Sequence, residues 1–312
     1  MPPKPPAARW QLTKHKNSMM QLHAKISKLL SRAGLMLLVL LTLSACTTKM
    51  AYNFLDWAIE WKVQRMVKLQ GEQKILTQKA IKDFHHWHRA TQLSQYADYL
   101  LQLQKRLNDT PITAEEIHAE TDKVQLLVDQ SVEKVLPDAA EVLSTLSDAQ
   151  VKELLKSVAE ERDEYKEEYV DPSTSKRQKL YYKKFIKHAQ DWLGHLSKAQ
   201  KAKVKTWSEQ LEPFETLNLE QQKIWEKDLA TLLAQRPDKA ALLKGLQNLM
   251  FHRTDNWQPE LEAILDRNQA MSYQLIADLL NGMSEGQRKH MNKKIEDYVR
   301  LFGELAGEIK GP

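Results

Sequence analysis

The sequence predicts an all-α protein, a multi-helix bundle or array of about ten helices. Three observations point there: helix-start signals recur, strand signals are almost absent, and prolines fall where helices would begin or break. Four stretches fit the capping box: Thr113-Ala-Glu-Glu116, Ser147-Asp-Ala-Gln150, Ser197-Lys-Ala-Gln200 and Ser284-Glu-Gly-Gln287. In that motif the hydroxyl accepts from the third helical amide, while Glu or Gln reaches back to the amide of the capping residue. Asn218-Leu-Glu-Gln221 is a weaker version. An apolar residue precedes each start: Ile112, Leu146, Leu196, Met283 and Leu217. Ile117 and Val151 stand where a hydrophobic staple needs them. The starts have no fixed spacing, which argues against a regular solenoid. No stretch alternates β-branched residues between turn dipeptides.

The elements follow in order. A first helix is expected over 50–69, where Leu55, Ile59 and Val63 repeat. The second, over 72–107, carries Leu76, Ala80, Phe84, Trp87 and Thr91 on one face. The third spans 113–136, between Pro111 and Pro137, with Leu126, Val128, Val132, Val135 and Leu136 as its apolar side. Helices follow over 148–169, 174–195 and 198–211, with Pro172 between the first two and Gly194 near the end of the second. Pro213 precedes 219–235, Pro237 precedes 238–250, Pro259 opens 258–281, and the Ser284 box opens 285–307. No linker rich in Gly, Ser or Pro interrupts 50–308, although a subdivision near 212–217 fits the break in helical pattern there.

Ahead of these helices the pattern changes. Gly34–Ala45, GLMLLVLLTLSA, is an apolar run of 12 residues. Such a helix is about 18 Å long, against a hydrocarbon core of about 30 Å, so it is short for a span. It suits the h-region of a secretory signal, with Lys25, Lys28 and Arg32 as the positive n-region. Leu43-Ser44-Ala45-Cys46 resembles the lipobox of bacterial lipoproteins. That resemblance implies a signal peptide over 1–45, a diacylglycerol on the Cys46 sulfur, and a mature domain, 46–312, tethered to a membrane. Two or more acyl chains anchor stably, at about 0.8 kcal/mol per buried CH₂. Thr47, where an aspartate favours inner-membrane retention, implies the outer membrane facing the periplasm. MPPKPPAARW is an unusual signal start, and Met19 and Met20 are alternative first residues. The other reading of Cys46, the only cysteine, is a buried thiol behind an uncleaved anchor. An acylated Cys46 leaves no disulfide, so packing alone holds the fold.

The net charge of +5 is misleading. Seven of the 46 basic residues, and no acid, precede Cys46, leaving 39 bases against 41 acids, a balance of about −2. The electrostatic case for a nucleic-acid partner therefore fails.

Candidate chemistry is sparse. His85 and His88 are three apart on one helical face, a workable spacing for two metal ligands. His118, in Glu115-Glu-Ile-His118, has the Glu-x-x-His spacing of di-iron bundles, but no second copy accompanies it. A hydrogen-bonded structural histidine beside Phe84 and Trp87 is the competing reading of His88. Acids at 160–168 followed by bases at 176–187 suggest an antiparallel hairpin with cross-helix ion pairs. Ser173-Thr-Ser-Lys176 matches a Ser-x-x-Lys pattern without its companions, and no phosphate loop, Gly-x-Ser-x-Gly or His-Glu-x-x-His occurs. No catalytic residue and no cofactor is expected. Tyr52, Phe54, Trp57 and Trp61 suit either the membrane interface or docking on the helical body. Asp56 and Glu60 interrupt an apolar face there, which favours docking.

Tyr52-Asn53-x-Leu55-Asp56-Trp57, Trp87-His88-Arg89, Tyr96-Ala97, Glu168-Tyr169-x-x-Pro172-Ser173 and Trp192-x-Gly194-x-Leu196 resemble an uncharacterised family of bacterial all-helical lipoproteins. The resemblance covers roughly residues 40–250 and departs from the pattern at Gln92-Leu93-Ser94, where an acid and a proline are expected. It implies a helical periplasmic domain behind a lipid anchor and supplies no catalytic residues. The expected function is a non-catalytic interaction or chaperone-like module with an envelope protein partner. A metal-binding protein or metal-dependent enzyme using His85 and His88 is the alternative.

Overall fold

The structure, a computed structural model, describes residues 45–109, 111–236, 238–252 and 257–307. Residues 1–44, which hold nearly all of the expected signal peptide and the alternative starts Met19 and Met20, lie outside the described residues. Every regular element described is helical. Helices α1 (Ala45–Asn53) and α2 (Leu55–Met66) lead into α3 (Glu72–Trp87), a π-helical turn (His88–Gln92) and α4 (Leu93–Asp109). Then come α5 (Ala114–Ser144), α6 (Asp148–Tyr165), a second π-helical turn (Lys166–Val170), α7 (Thr174–Leu193) and α8 (Lys198–Gln210). The chain closes with α9 (Glu215–Ala234), α10 (Lys239–Phe251), α11 (Pro259–Asn281) and α12 (Glu285–Gly307).

All four capping boxes form. Their glutamines also tie one helix start to another. Gln200 and Gln287 exchange side-chain amide bonds of 3.1 and 3.0 Å, and both are buried. Gln287 Nε2 also donates to the His195 carbonyl at 2.8 Å. The same geometry recurs between Gln150 and Gln73, at 2.7 and 3.0 Å, with donation to the carbonyls of Lys68 and Thr145. Gln73 accepts from the amide of Gln70, so Leu69-Gln-Gly-Glu-Gln73 acts as a fifth, hydroxyl-free start. Gly71, at φ +50°, supplies the left-handed turn that lets the chain enter α3.

Each glutamine pair belongs to one of two large cores. One gathers Leu93, Tyr96 and Leu100 of α4 with Leu193, Val204, Leu279 and the inner face of α12. Within it α4 and α12 run antiparallel, since Tyr96 meets Phe302 while Gln104 meets Asn292. The other gathers Val67, Leu69, Leu136, Leu154, Leu233 and Leu242. Helix α5, 31 residues long, serves both halves, with α11 on its start and α10 on its end.

Four expectations need correction. The expected helix over 50–69 is broken at Phe54 and ends at Met66. The helix over 72–107 contains the π-helical turn, whose end falls at the Gln92-Leu93 departure. Pro137 does not end its helix, because α5 runs on to Ser144. Pro137 and Glu133, whose carbonyl loses its partner, are both on the exposed side, where water can satisfy it. Asn218 is not a cap: α9 begins at Glu215, whose carboxylate accepts from the Phe214 amide at 3.1 Å.

Leaving a buried amide without its partner costs about 1–3 kcal/mol. Gln200→Ala and Gln287→Ala should each lose that much in urea unfolding, and the double variant should lose less than the sum of the two. Additive losses would show that the two amides are not coupled.

Candidate functional site

Residues far apart in sequence converge where α1 and α2 meet the first π-helical turn. The Tyr52 hydroxyl lies 2.7 Å from Nδ1 of His88, and the Tyr96 hydroxyl lies 3.2 Å from Nε2. A neutral imidazole satisfies both phenols, donating from one nitrogen and accepting at the other. Phe84 and Tyr96 close around the ring at 5.7 and 5.4 Å between centroids. Asp56 pairs with Nδ1 of buried His85, and Tyr52 packs edge-on against that ring at 4.8 Å. Arg89 donates to Asn53 Oδ1 and sits 5.3 Å over the Tyr52 ring. Tyr52, Asn53 and Asp56 are thereby locked onto His85, His88 and Arg89. The π-helical turn makes this possible, since its extra residue re-aims His88 toward Tyr52 before the face of α4 resumes at Leu93.

Burial governs the protonation of this junction. It pushes His88 down to about 4, with the nearby His85 adding to the effect. Burial also lowers His85, against an opposing pull from Asp56. Tyr52 and Tyr96 are raised by burial. His88 is therefore neutral at physiological pH, as its two phenol bonds require.

The histidines are divided between two places. His85 and His88 share Tyr52, whereas His118 stacks on Tyr273 of α11 at 5.1 Å and pairs with Asp122 on its own helix at 3.7 Å. Among the described residues no group of three or more His, Cys, Asp or Glu could hold a metal ion. Both nitrogens of His88 are already engaged by phenols. Cys46 lies in the first turn of α1.

An apolar cleft of about 310 Å³ opens beside the junction. Ile59 and Val63 of α2, Ile81 and Phe84 of α3, and Val135 and Val142 of α5 form its walls. Its lining is almost wholly carbon. Thr77 spends its hydroxyl on the Gln73 carbonyl at 2.8 Å, and Asp138 is the lone ionisable side chain in the lining. Phe84 joins the two features, touching His88 on one side and the cleft on the other. A wider, shallower groove of about 690 Å³ covers the Gln73–Gln150 pair, whose amides are already spent on each other.

The aromatic segment is split between two environments. Tyr52 docks on the body, while Met50, Phe54 and Trp57 stand 64%, 58% and 64% exposed. The expectation of docking thus holds for Tyr52 and fails for Phe54 and Trp57. The hairpin expectation also changes: α7 packs chiefly on α8 and α12, and Lys184–Glu168 at 2.5 Å is the pair that crosses from the acidic stretch. Tyr165, at the end of α6, and Tyr169, in the second π-helical turn, are buried in a stacked series with Tyr181 and Phe214. Buried Glu215 accepts from Tyr181 at 2.5 Å and pairs with Arg177 at 3.2 Å.

The fold and the site define a class: an all-helical protein with a hydrogen-bonded imidazole–phenol junction set beside an apolar cleft. Residues 65–262 match a family of unknown function, DUF6279, and the chain belongs to that family. No curated protein and no solved structure matches it. The matched span contains both π-helical turns and most of the cleft, while Tyr52 and Asp56 precede it.

The His88 shift sets a pH dependence. Its ordinary value is about 6.5 in an unfolded chain, and the folded value is about 4. Between those values the unfolded chain binds a proton that the folded chain refuses. Stability is therefore full above about pH 6.5 and falls as pH drops toward 4, by up to about 3 kcal/mol. Urea midpoints at pH 7.5, 5.5 and 4.5 should show this slope, and His88→Gln should start lower but flatten it. Equal slopes in the two proteins would place the acid sensitivity elsewhere.

Proposed function

We propose that this is a lipid-anchored protein of the bacterial cell envelope, held by acyl chains on Cys46 at the outer membrane and facing the periplasm. In this reading it is a non-catalytic, chaperone-like binder that takes apolar side chains of an envelope protein partner into the cleft between α2, α3 and α5. The cleft is the observation that carries the binding role. At about 310 Å³ it has roughly twice the room of a ~150 Å³ apolar cavity that accepts one benzene ring. A half-open apolar trough bounded by helices suits the helix-in-groove mode, in which residues three or four apart serve as anchors. The tether rests on the Gly34–Ala45 run and on Leu-Ser-Ala-Cys46. Among the described residues no helix is long and apolar enough to cross a membrane.

Two experiments test the two halves separately. Cys46→Ser should abolish the mature-size, membrane-fractionating form in cells; a serine variant that matures and fractionates normally overturns the tether. For the cleft, a photo-cross-linker at Val135, on its exposed rim, should trap a protein partner. Ala139→Phe, which fills the cleft, should reduce that adduct at least tenfold while leaving the helical circular dichroism unchanged. An adduct indifferent to Ala139→Phe, or one made only with lipid, overturns the proposed role.

A further inference from the structure

The exposed side of α1 and α2 has an unusual composition. Between residues 50 and 58 the exposed positions are Met50, Ala51, Asn53, Phe54, Trp57 and Ala58, with no charge among them. Asn53 has its amide oxygen committed to Arg89. The acids that seemed to spoil an apolar face are turned the other way. Asp56 pairs with His85, and Glu60 accepts from Gln78 at 2.8 Å. In a chain with 28% charged residues, a helical side without charge calls for an apolar neighbour.

Register identifies that neighbour. Met50, Phe54, Trp57 and Trp61 follow one another at spacings of four, three and four, which is one stripe of a helix. The bonds Phe54 N to Met50 O and Ala58 N to Phe54 O, at 3.2 and 3.0 Å, carry the helical path across the break at Phe54. Cys46, four residues before Met50, falls in the same register. Trp57 and Trp61 stack at 6.5 Å, and Arg65 lies 4.9 Å over Trp61, placing an exposed cation at the far end of the stripe. Tryptophan rings favour the membrane interface, and a basic group suits the headgroup level just outside it.

We infer that the stripe Met50–Phe54–Trp57–Trp61 lies in the interface of the bilayer that the Cys46 lipid enters, so that α1 and α2 rest on the membrane surface. This rests on the lipid-anchor reading and deepens it. The opposite side of α2, with Ile59 and Val63, walls the cleft. The cleft is then held about one helix diameter, 10–12 Å, above the lipid. The tether becomes a two-point mount, with acyl chains at one end and aromatic rings along a helix.

The test uses the full, lipidated chain in vesicles of phosphatidylethanolamine and phosphatidylglycerol whose acyl chains are brominated. Trp57 and Trp61 are two of the seven tryptophans that follow Cys46. Brominated chains should quench part of the emission, and Trp57→Phe/Trp61→Phe, which keeps the face apolar, should remove at least half of that quenching. If the chain floats with the vesicles but quenching is absent or the same in the variant, the inference fails and the anchor stands. Failure to float overturns the anchor and this inference with it. Trp57 unquenched in a chain that sediments as a dimer, and as a monomer after Trp57→Asp, assigns the face to a second copy and overturns the lipid assignment.

Discussion

A neutral imidazole held between two phenols is the contact on which the arrangement turns. His88 is the meeting point of α1, through Tyr52, and α4, through Tyr96. Either phenol alone could be satisfied by water at the surface. Buried together they need a partner with one donor and one acceptor in a rigid ring, and neutral histidine is such a group. The rotation of α1 and α2 about their own axes follows from that bond and from Asp56 on His85. With that rotation set, Ile59 and Val63 point to the cleft while Phe54 and Trp57 point away from it. The same burial that builds the junction argues against a general base here. A His88 held near 4 with both nitrogens engaged has no lone pair to offer a substrate at pH 7.

The rest of the molecule is built to keep two cores in one relation. The paired glutamines set the starts of two helices in each half, and α5 passes along both. Each pair works because the glutamine amide has two donors and two acceptor positions. One acceptor serves its own cap amide, and the remaining groups reach the neighbouring helix start. A glutamate at the same position could close its own box but could not donate to the second helix.

Local physics made much of this legible. Capping boxes depend on four consecutive residues, so Thr113, Ser147, Ser197 and Ser284 announced their helices without any tertiary knowledge. Pro137 misled because proline reports a lost donor and not whether water waits at the freed carbonyl. The π-helical turns were invisible: an inserted residue at Trp87-His88-Arg89 or Glu168-Tyr169 leaves no compositional trace, and only the partners across space show why it is there. The helix was expected from 72 and begins at Glu72, but the capping role of Gln73 was missed because Gln70 lacks a capping hydroxyl, although Leu69-Gln-Gly-Glu-Gln73 repeats the spacing of Leu146-Ser-Asp-Ala-Gln150. The histidines at 85 and 88 were flagged by their spacing of three, yet the hydrogen bonding of His88 needed Tyr52, 36 residues upstream. Asp56 and Glu60 argued against a membrane-facing side only while their directions were unknown.

Energetics favour a cleft that holds its guest briefly. Full burial of one apolar side chain contributes about 1.5–3 kcal/mol. A trough with room for roughly two ring-sized groups therefore gains only several kcal/mol, and association itself costs about 4–15 kcal/mol at a 1 M standard state. Free in solution, such a contact would scarcely form. Under the proposed lipid anchor a shared membrane would change the accounting, because two anchored proteins meet at an effective concentration set by the surface and not by the surrounding volume. In the proposed role, weak contact and high local concentration would together give fast exchange, which is what holding apolar segments of a partner requires. A deeper, more polar pocket would bind one partner better and lose that turnover. The near absence of polar atoms in the cleft wall is thus consistent with holding apolar segments and offers little with which to choose among them.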